Sequence, residues 1–186
     1  MTSLISVLKY NNEIDVLENF CIKAKKDGIL NNSEISKLSL PQNYGLFFTL
    51  VNREIAAMSY VHDFNNYYKD TWRCWTRTAV LKKFRNQYHP KQRNIFSAAG
   101  ITGYSIPHQV DYALRNGAKQ IVFTTNNEGS LSSIKLGQYL HKIVDTDPRF
   151  NFLETREIKG LSQDVWILNV SDLETLTSLP LDLHQN

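Results

Sequence analysis

Trp72-Arg-Cys-Trp-Thr-Arg-Thr-Ala-Val-Leu81 runs into Lys82-Lys-Phe-Arg-Asn-Gln-Tyr-His-Pro-Lys-Gln-Arg93, then Gly100-Ile-Thr-Gly-Tyr-Ser105, an amphipathic stretch from Ile106 to Asn116, and Gln120-Ile-Val-Phe-Thr-Thr125. The first run has the β-branched and aromatic content of a strand. The second is basic and irregular. The third carries two glycines, and the fourth places Ile106, Val110, Ala113 and Leu114 on one helical face, with Pro107 in the first turn and Gly117 beyond the end. The fifth is a solid apolar run, as expected of a strand covered on both faces and paired in parallel. The order is strand, basic glycine loop, helix, strand. It brings cations and backbone N–H groups to the start of a helix, where anions bind.

Toward the N-terminus, Ser3 to Lys9 alternates weakly and predicts a strand. Asn12 predicts an N-cap, with Ile14, Leu17, Cys21 and Ala24 at helical spacing, Lys23, Lys25 and Lys26 in the last turns and Gly28 as the stop. Asn32-Ser33 predicts a short second helix through Leu38, ended by Pro41. Tyr44 to Val51 and Glu54 to Val61, joined by Asn52-Arg53, predict a hairpin, and Trp72 to Leu81 a third antiparallel strand. Toward the C-terminus, a helix to about Val144 presents Leu136, Leu140, Ile143 and Val144. Phe150 to Ile158, the Lys159-Gly160 turn and Asp164 to Val170 predict a closing hairpin. A leucine-rich tail starts at about Ser171. The expectation is one α/β (α+β) domain over residues 1–186, a mixed sheet in the order β-α-α-β-β-β-α-β-α-β-β.

Composition narrows the classes. The chain of 186 residues is long enough for a core of its own, and its 42% hydrophobic and 21% charged residues are ordinary for a globular domain. A net charge of +3 argues against a nucleic-acid binder, although the aromatic and basic run 60–93 is the place one would engage a single strand. No run is long enough to span a bilayer, and the first nine residues lack the charged and apolar regions of a signal peptide, so the cytoplasm is expected. Cys21 and Cys74 sit in apolar patterns and read as buried thiols. The histidines and cysteines show no metal-ligand spacing, and no metal is expected.

The element order resembles that of the GNAT superfamily of acyl-CoA N-acyltransferases. The best local match is Thr78-Ala-Val-Leu-Lys-Lys-Phe-Arg85, similar to the end of that family's fourth strand. There the next segment is a Gln/Arg-x-x-Gly-x-Gly/Ala loop around the cofactor pyrophosphate. Here Gln92 and Arg93 come early and the glycines are Gly100 and Gly103, so the loop departs from that pattern by several residues. The resemblance implies acetyl-CoA as co-substrate, held by Val80, Arg85, Arg93, Gly100, Thr102, Gly103 and Tyr104. It implies Asn126 or Asn127 and Tyr139 near the thioester, with Tyr139 as proton donor to the leaving thiolate, a phenol and a thiol being close in pKa. It also implies direct transfer to a small-molecule or peptide amine, and frequent dimers.

Each of these residues has a plainer reading. The glycines make a turn, the basic residues are solvated, and Tyr139 packs its ring on a helix with its hydroxyl outward. His108, Glu128 and Glu157 are candidate bases among which the sequence does not choose. Trp75 and Arg77, with Trp72, Arg73, Phe64, Tyr67 and Tyr68, form either an aromatic acceptor pocket suited to a carboxylate or part of the core. The alternative to an acetyltransferase is a domain of the same fold, without activity, that serves as a binding module.

Overall fold

The computed structural model describes residues 3–11, 14–29, 43–86, 95–128, 131–147 and 150–169. The expected short helix at 33–38, Gln92, Arg93 and the leucine-rich tail lie outside these residues, as does the side chain of Arg77. The elements are β1 (Ile5–Lys9), α1 (Ile14–Lys26), β2 (Tyr44–Val51), β3 (Glu54–Asp63), β4 (Thr71–Val80), α2 (Ile106–Arg115), β5 (Gln120–Asn126), α3 (Leu131–Ile143), β6 (Phe150–Ile158) and β7 (Leu161–Leu168).

Among the described residues the strands form one seven-stranded sheet in the order β1-β2-β3-β4-β5-β7-β6. Every neighbouring pair is antiparallel except β4 and β5. The expected mixed sheet, with its single parallel step after the crossover helix, is what forms. The two hairpins turn in the same way. Asn52 and Arg53 both have positive φ (50° and 69°), as do Lys159 and Gly160 (54° and 77°). Two such residues in a row suit the right-handed twist of the flanking strands.

The period-2 alternation of the strands sends side chains to two faces. On one face Phe20 and Ala24 of α1 pack with Leu46, Phe48, Met58 and Tyr60. On the other, Ile106, Val110 and Ala113 of α2 and Leu136 and Leu140 of α3 pack with Phe47, Val61, Trp72, Ile121, Phe123 and Trp166. A Cβ on Gly137 would stand 2.8 Å from Thr125 Oγ1, so only glycine lets α3 lie this close to β5. Both cysteines are buried and unbridged, and burial pushes the Cys74 thiol up to about 12. No helix among the described residues is long and apolar enough to cross a membrane.

One expectation changes form. The glycine segment is not an open loop but two short 3₁₀ helices within Ile95–Ser105, separated at Gly100, whose φ of 59° and ψ of −142° are not helical, and the second leads directly into α2. Ile101, Thr102 and Ser105 are buried, and buried backbone has to bond internally, which tight i→i+3 turns achieve.

Candidate active site

β4 and β5 stay together for only three ladder pairs, Thr71↔Gln120, Trp72↔Ile121 and Arg73↔Val122. Beyond them β4 follows β3 to Val80, while β5 follows β7 to Asn126. A wedge opens between two strand edges with no ladder pairing across it. The departure begins at Trp75, a non-glycine residue at φ 53°. Nearby, the β3–β4 register slips twice, between Met58 and Tyr60 and between Tyr60 and His62. Bulges of this kind bend a strand and end its pairing, and they persist only where the surroundings hold them.

The left arm of the wedge is held by neutral groups. The Trp75 backbone N–H leaves the ladder and donates to Gln109 Oε1 at 2.6 Å. Gln109 Nε2 donates to Ser59 Oγ (2.7 Å) and Ser105 Oγ (2.9 Å). Ser105 Oγ gives its single proton to the Thr102 carbonyl at 2.8 Å, so in the 2.8 Å contact between the two serines Ser59 is the donor. Gln109 and Ser105 are completely buried. The network ties the β4 bulge to the first turns of α2. The Trp75 indole N–H donates to Thr102 Oγ1 at 2.9 Å, and its ring lies 6.4 Å from that of Phe123 on β5.

The right arm is held by a carboxylate. Asp164 on β7 accepts from Asn127 Nδ2 (2.9 Å) and Thr155 Oγ1 (2.7 Å) and meets His141 Nε2 of α3 at 2.7 Å. Burial pushes its carboxyl up, but the hydrogen bonds from Asn127, His141 and Thr155 outweigh that and hold it below the usual carboxylate range. Trp166 Nε1 donates to Thr125 Oγ1 at 3.0 Å, and the Asn126 N–H donates to Ser133 Oγ at 2.7 Å. These bonds fix the end of β5 against α3.

On the sheet face away from α2 and α3, Arg73 reaches Gln163 Oε1 (2.9 Å) and Thr124 Oγ1, with its guanidinium over the Phe64 ring. Phe64 stacks on Tyr67 at 4.6 Å. His62 Nδ1–H donates to the Asp63 carbonyl at 2.5 Å. Burial, helped by the nearby Arg73 charge, lowers His62 to about 4, so its ring is neutral at pH 7.

The residues expected at the site divide accordingly. Val80 ends the left arm, and exposed Arg85 donates Nε–H to the Val80 carbonyl at 3.1 Å. Gly100 supplies the kink, Gly103 and Thr102 are buried, and Tyr104 is partly buried, which raises its hydroxyl pKa. Trp75 sits in the wedge. Asn126 ends the right arm. Tyr139 is 48% exposed and stands two residues beyond Gly137, roughly 200° around the helix from the side that packs on β5. Of the candidate bases, His108 faces Phe47 of β2, with its imidazole lowered by burial. Glu128 follows the end of β5, and Glu157 is exposed on β6. A separate cleft of about 290 Å³, lined by Lys9, Tyr10, Asn11, Tyr44, Leu46 and Tyr112, opens where β1 ends and β2 begins, at the other edge of the sheet.

Sequence reasoning missed Gln109, Ser59 and Asp164. Each had a signal: a polar residue at an inward position of an otherwise apolar pattern, which has to find partners.

No protein-family model matches the chain, and no curated protein matches it. Solved structures do. A putative acetyltransferase of the GNAT family from Desulfovibrio desulfuricans aligns with TM-score 0.54 and 13% identity, over 89% of this chain and 99% of that one. FeeM, an N-acyl amino acid synthase from uncultured soil microbes, aligns with TM-score 0.55 and 10% identity, over 96% and 97%. A ribosomal-protein alanine N-acetyltransferase from Escherichia coli aligns with TM-score 0.52 and 14% identity, over 88% and 92%. The fold is that of the GNAT acyltransferases.

Proposed function

We propose that the chain transfers an acetyl group from acetyl-CoA directly to an amine of a small molecule or peptide. The observation that carries this reading is the wedge, where the edges of β4 and β5 beyond Arg73 and Val122 face each other without ladder pairing. An open strand edge recognises an extended chain through main-chain hydrogen bonds, and the amide-bearing arm of CoA is such a chain. The residues present fit it. Val80 and the bulge offer backbone groups. Arg85, which bonds the Val80 carbonyl, is proposed to grip the pyrophosphate together with Gly100, Thr102, Gly103 and Tyr104, and Arg93 is proposed to add charge for the phosphates.

When bound, acetyl-CoA supplies an activated thioester carbonyl. The N–H near Val80 is proposed to polarise that carbonyl. Asn126 is proposed to orient the reacting group. Tyr139 keeps the proposed role of proton donor through its Oη, but its exposure makes its share small: Tyr139→Phe is expected to lower turnover less than about tenfold. Arg77 is proposed on the acceptor side. An amine acceptor is supported by two structures of this fold that are named for an amino-acid or alanine acceptor. A second reading, a binding module without activity, is favoured by the 3₁₀ helix that runs straight into α2, because it bonds internally some of the N–H groups a phosphate grip would use.

Calorimetric titration with acetyl-CoA separates these readings. Saturable binding is expected, weakened about tenfold in Arg85→Ala through loss of one charged contact. Absence of any binding by the unaltered protein would contradict the acetyltransferase reading.

A further inference from the structure

We infer that Trp75 is the stop that restricts this wedge to an acetyl-sized acyl group. The inference rests on the reading of the wedge as an acyl-CoA site. Trp75 lies two residues past the last ladder pair on β4, and Phe123 lies one residue past it on β5. Their rings face each other at 6.4 Å, tilted by 55°, at the closed end of the wedge. Behind Phe123 is fully buried Trp166, stacked at 6.4 Å and nearly parallel.

Trp75 is held at two points, one on its backbone and one on its ring. Its backbone N–H is bound by Gln109, which is 0% exposed, and its ring N–H by Thr102, which is 1% exposed. Displacing the ring breaks the indole bond to buried Thr102 Oγ1, while the backbone bond to Gln109 keeps β4 in its bulged course. The positive φ of Trp75 aims the side chain there and nowhere along the regular pleat. An acyl chain a few methylenes longer than acetyl meets this pair of rings and has no room unless the indole leaves. A smaller side chain at this position opens space beside Phe123 for the longer chain, much as truncating a buried aromatic residue leaves a cavity. Trp75 is thus assigned to the acyl side of the site rather than to the acceptor side.

The test is calorimetric titration of the unaltered protein, Trp75→Ala and Trp75→Leu with acetyl-CoA, butyryl-CoA and octanoyl-CoA. For the unaltered protein, affinity is expected to fall about tenfold or more from acetyl-CoA to octanoyl-CoA, the scale on which a pocket rejects surplus methylenes. In Trp75→Ala that order is expected to reverse, with octanoyl-CoA bound about tenfold or more tighter than acetyl-CoA. Should Trp75→Ala fail to fold by near-ultraviolet circular dichroism, Trp75→Leu is expected to show the same trend with smaller amplitude. Equal affinity of the unaltered protein for all three esters, or the same discrimination in both variants, overturns the inference and leaves the acyltransferase reading standing. Binding of none of the esters to any of the proteins overturns both.

Discussion

The two arms of the wedge are anchored by opposite chemistry. On the left, β4 and α2 are joined by an amide and two hydroxyls, with Gln109 and Ser105 completely buried. On the right, β5, β7 and α3 converge on the Asp164 carboxylate, whose partner His141 has a side chain 44% exposed. A neutral, saturated network is indifferent to pH and costly to break, since each lost partner strands another buried group. A carboxylate with three hydrogen-bond partners is strong only while it is ionised. The comparison teaches that the bulge side is the fixed wall of the wedge and the β5 side the adjustable one.

Breaking each anchor tests this. Gln109→Leu strands the Trp75 N–H and removes one donor from each serine hydroxyl, which stay bonded to each other and to the Thr102 carbonyl, and is expected to cost about 3 kcal/mol of unfolding free energy, unchanged between about pH 5 and 8. Asp164→Asn is expected to cost about 2 kcal/mol at neutral pH. Its pH dependence follows from the depressed folded-state pKa. The contribution is complete above the unfolded carboxylate value of about 3.9 and disappears as pH falls through the lower folded value, so variant and parent converge in acid. Urea denaturation across pH checks both. A gap for Gln109→Leu that closes in acid, or one for Asp164→Asn that does not, would contradict the assignment.

A smaller effect sharpens the same comparison at the hairpins. The right-hand turn uses Gly160 where φ is 77°, while the left-hand turn places Arg53 at φ 69°. Arg53→Gly relieves that strain and is expected to stabilise by about 0.5–1 kcal/mol after the entropy cost of glycine, a rise of roughly 1–4 °C in Tm. A lower Tm for this variant would show that Arg53 makes a compensating contact.

Much of the fold was legible because its signals are local. The α2 stripe, the apolar run of β5, the Asn52-Arg53 and Lys159-Gly160 turns and the β4-to-β5 crossover all stand in short windows of sequence. Strand ends moved by two or three residues, as at Ile5 and Leu161, where pairing with a neighbour rather than composition sets the limit. The site was less legible because it depends on where two strands separate. Nothing in Trp72 to Leu81 announces that Trp75 adopts positive φ, since the cause lies in Gln109, 34 residues away. The 3₁₀ form of the glycine segment was equally hidden. Two glycines signal a turn, whereas the burial of Ile101, Thr102 and Ser105 is a tertiary fact.

The measurement that tests the central claim most directly is amide hydrogen exchange with and without acetyl-CoA, read residue by residue along β4 and β5. If the wedge receives the extended arm of CoA, exchange is expected to slow at Thr76 to Val80 and at Phe123 to Thr125, while Thr71 to Arg73, already paired with Gln120 to Val122, and Asn126, already bonded to Ser133, stay unchanged. Protection confined to another surface, such as the cleft beside Lys9 and Tyr44, would contradict the account, as would no change anywhere at saturating ligand.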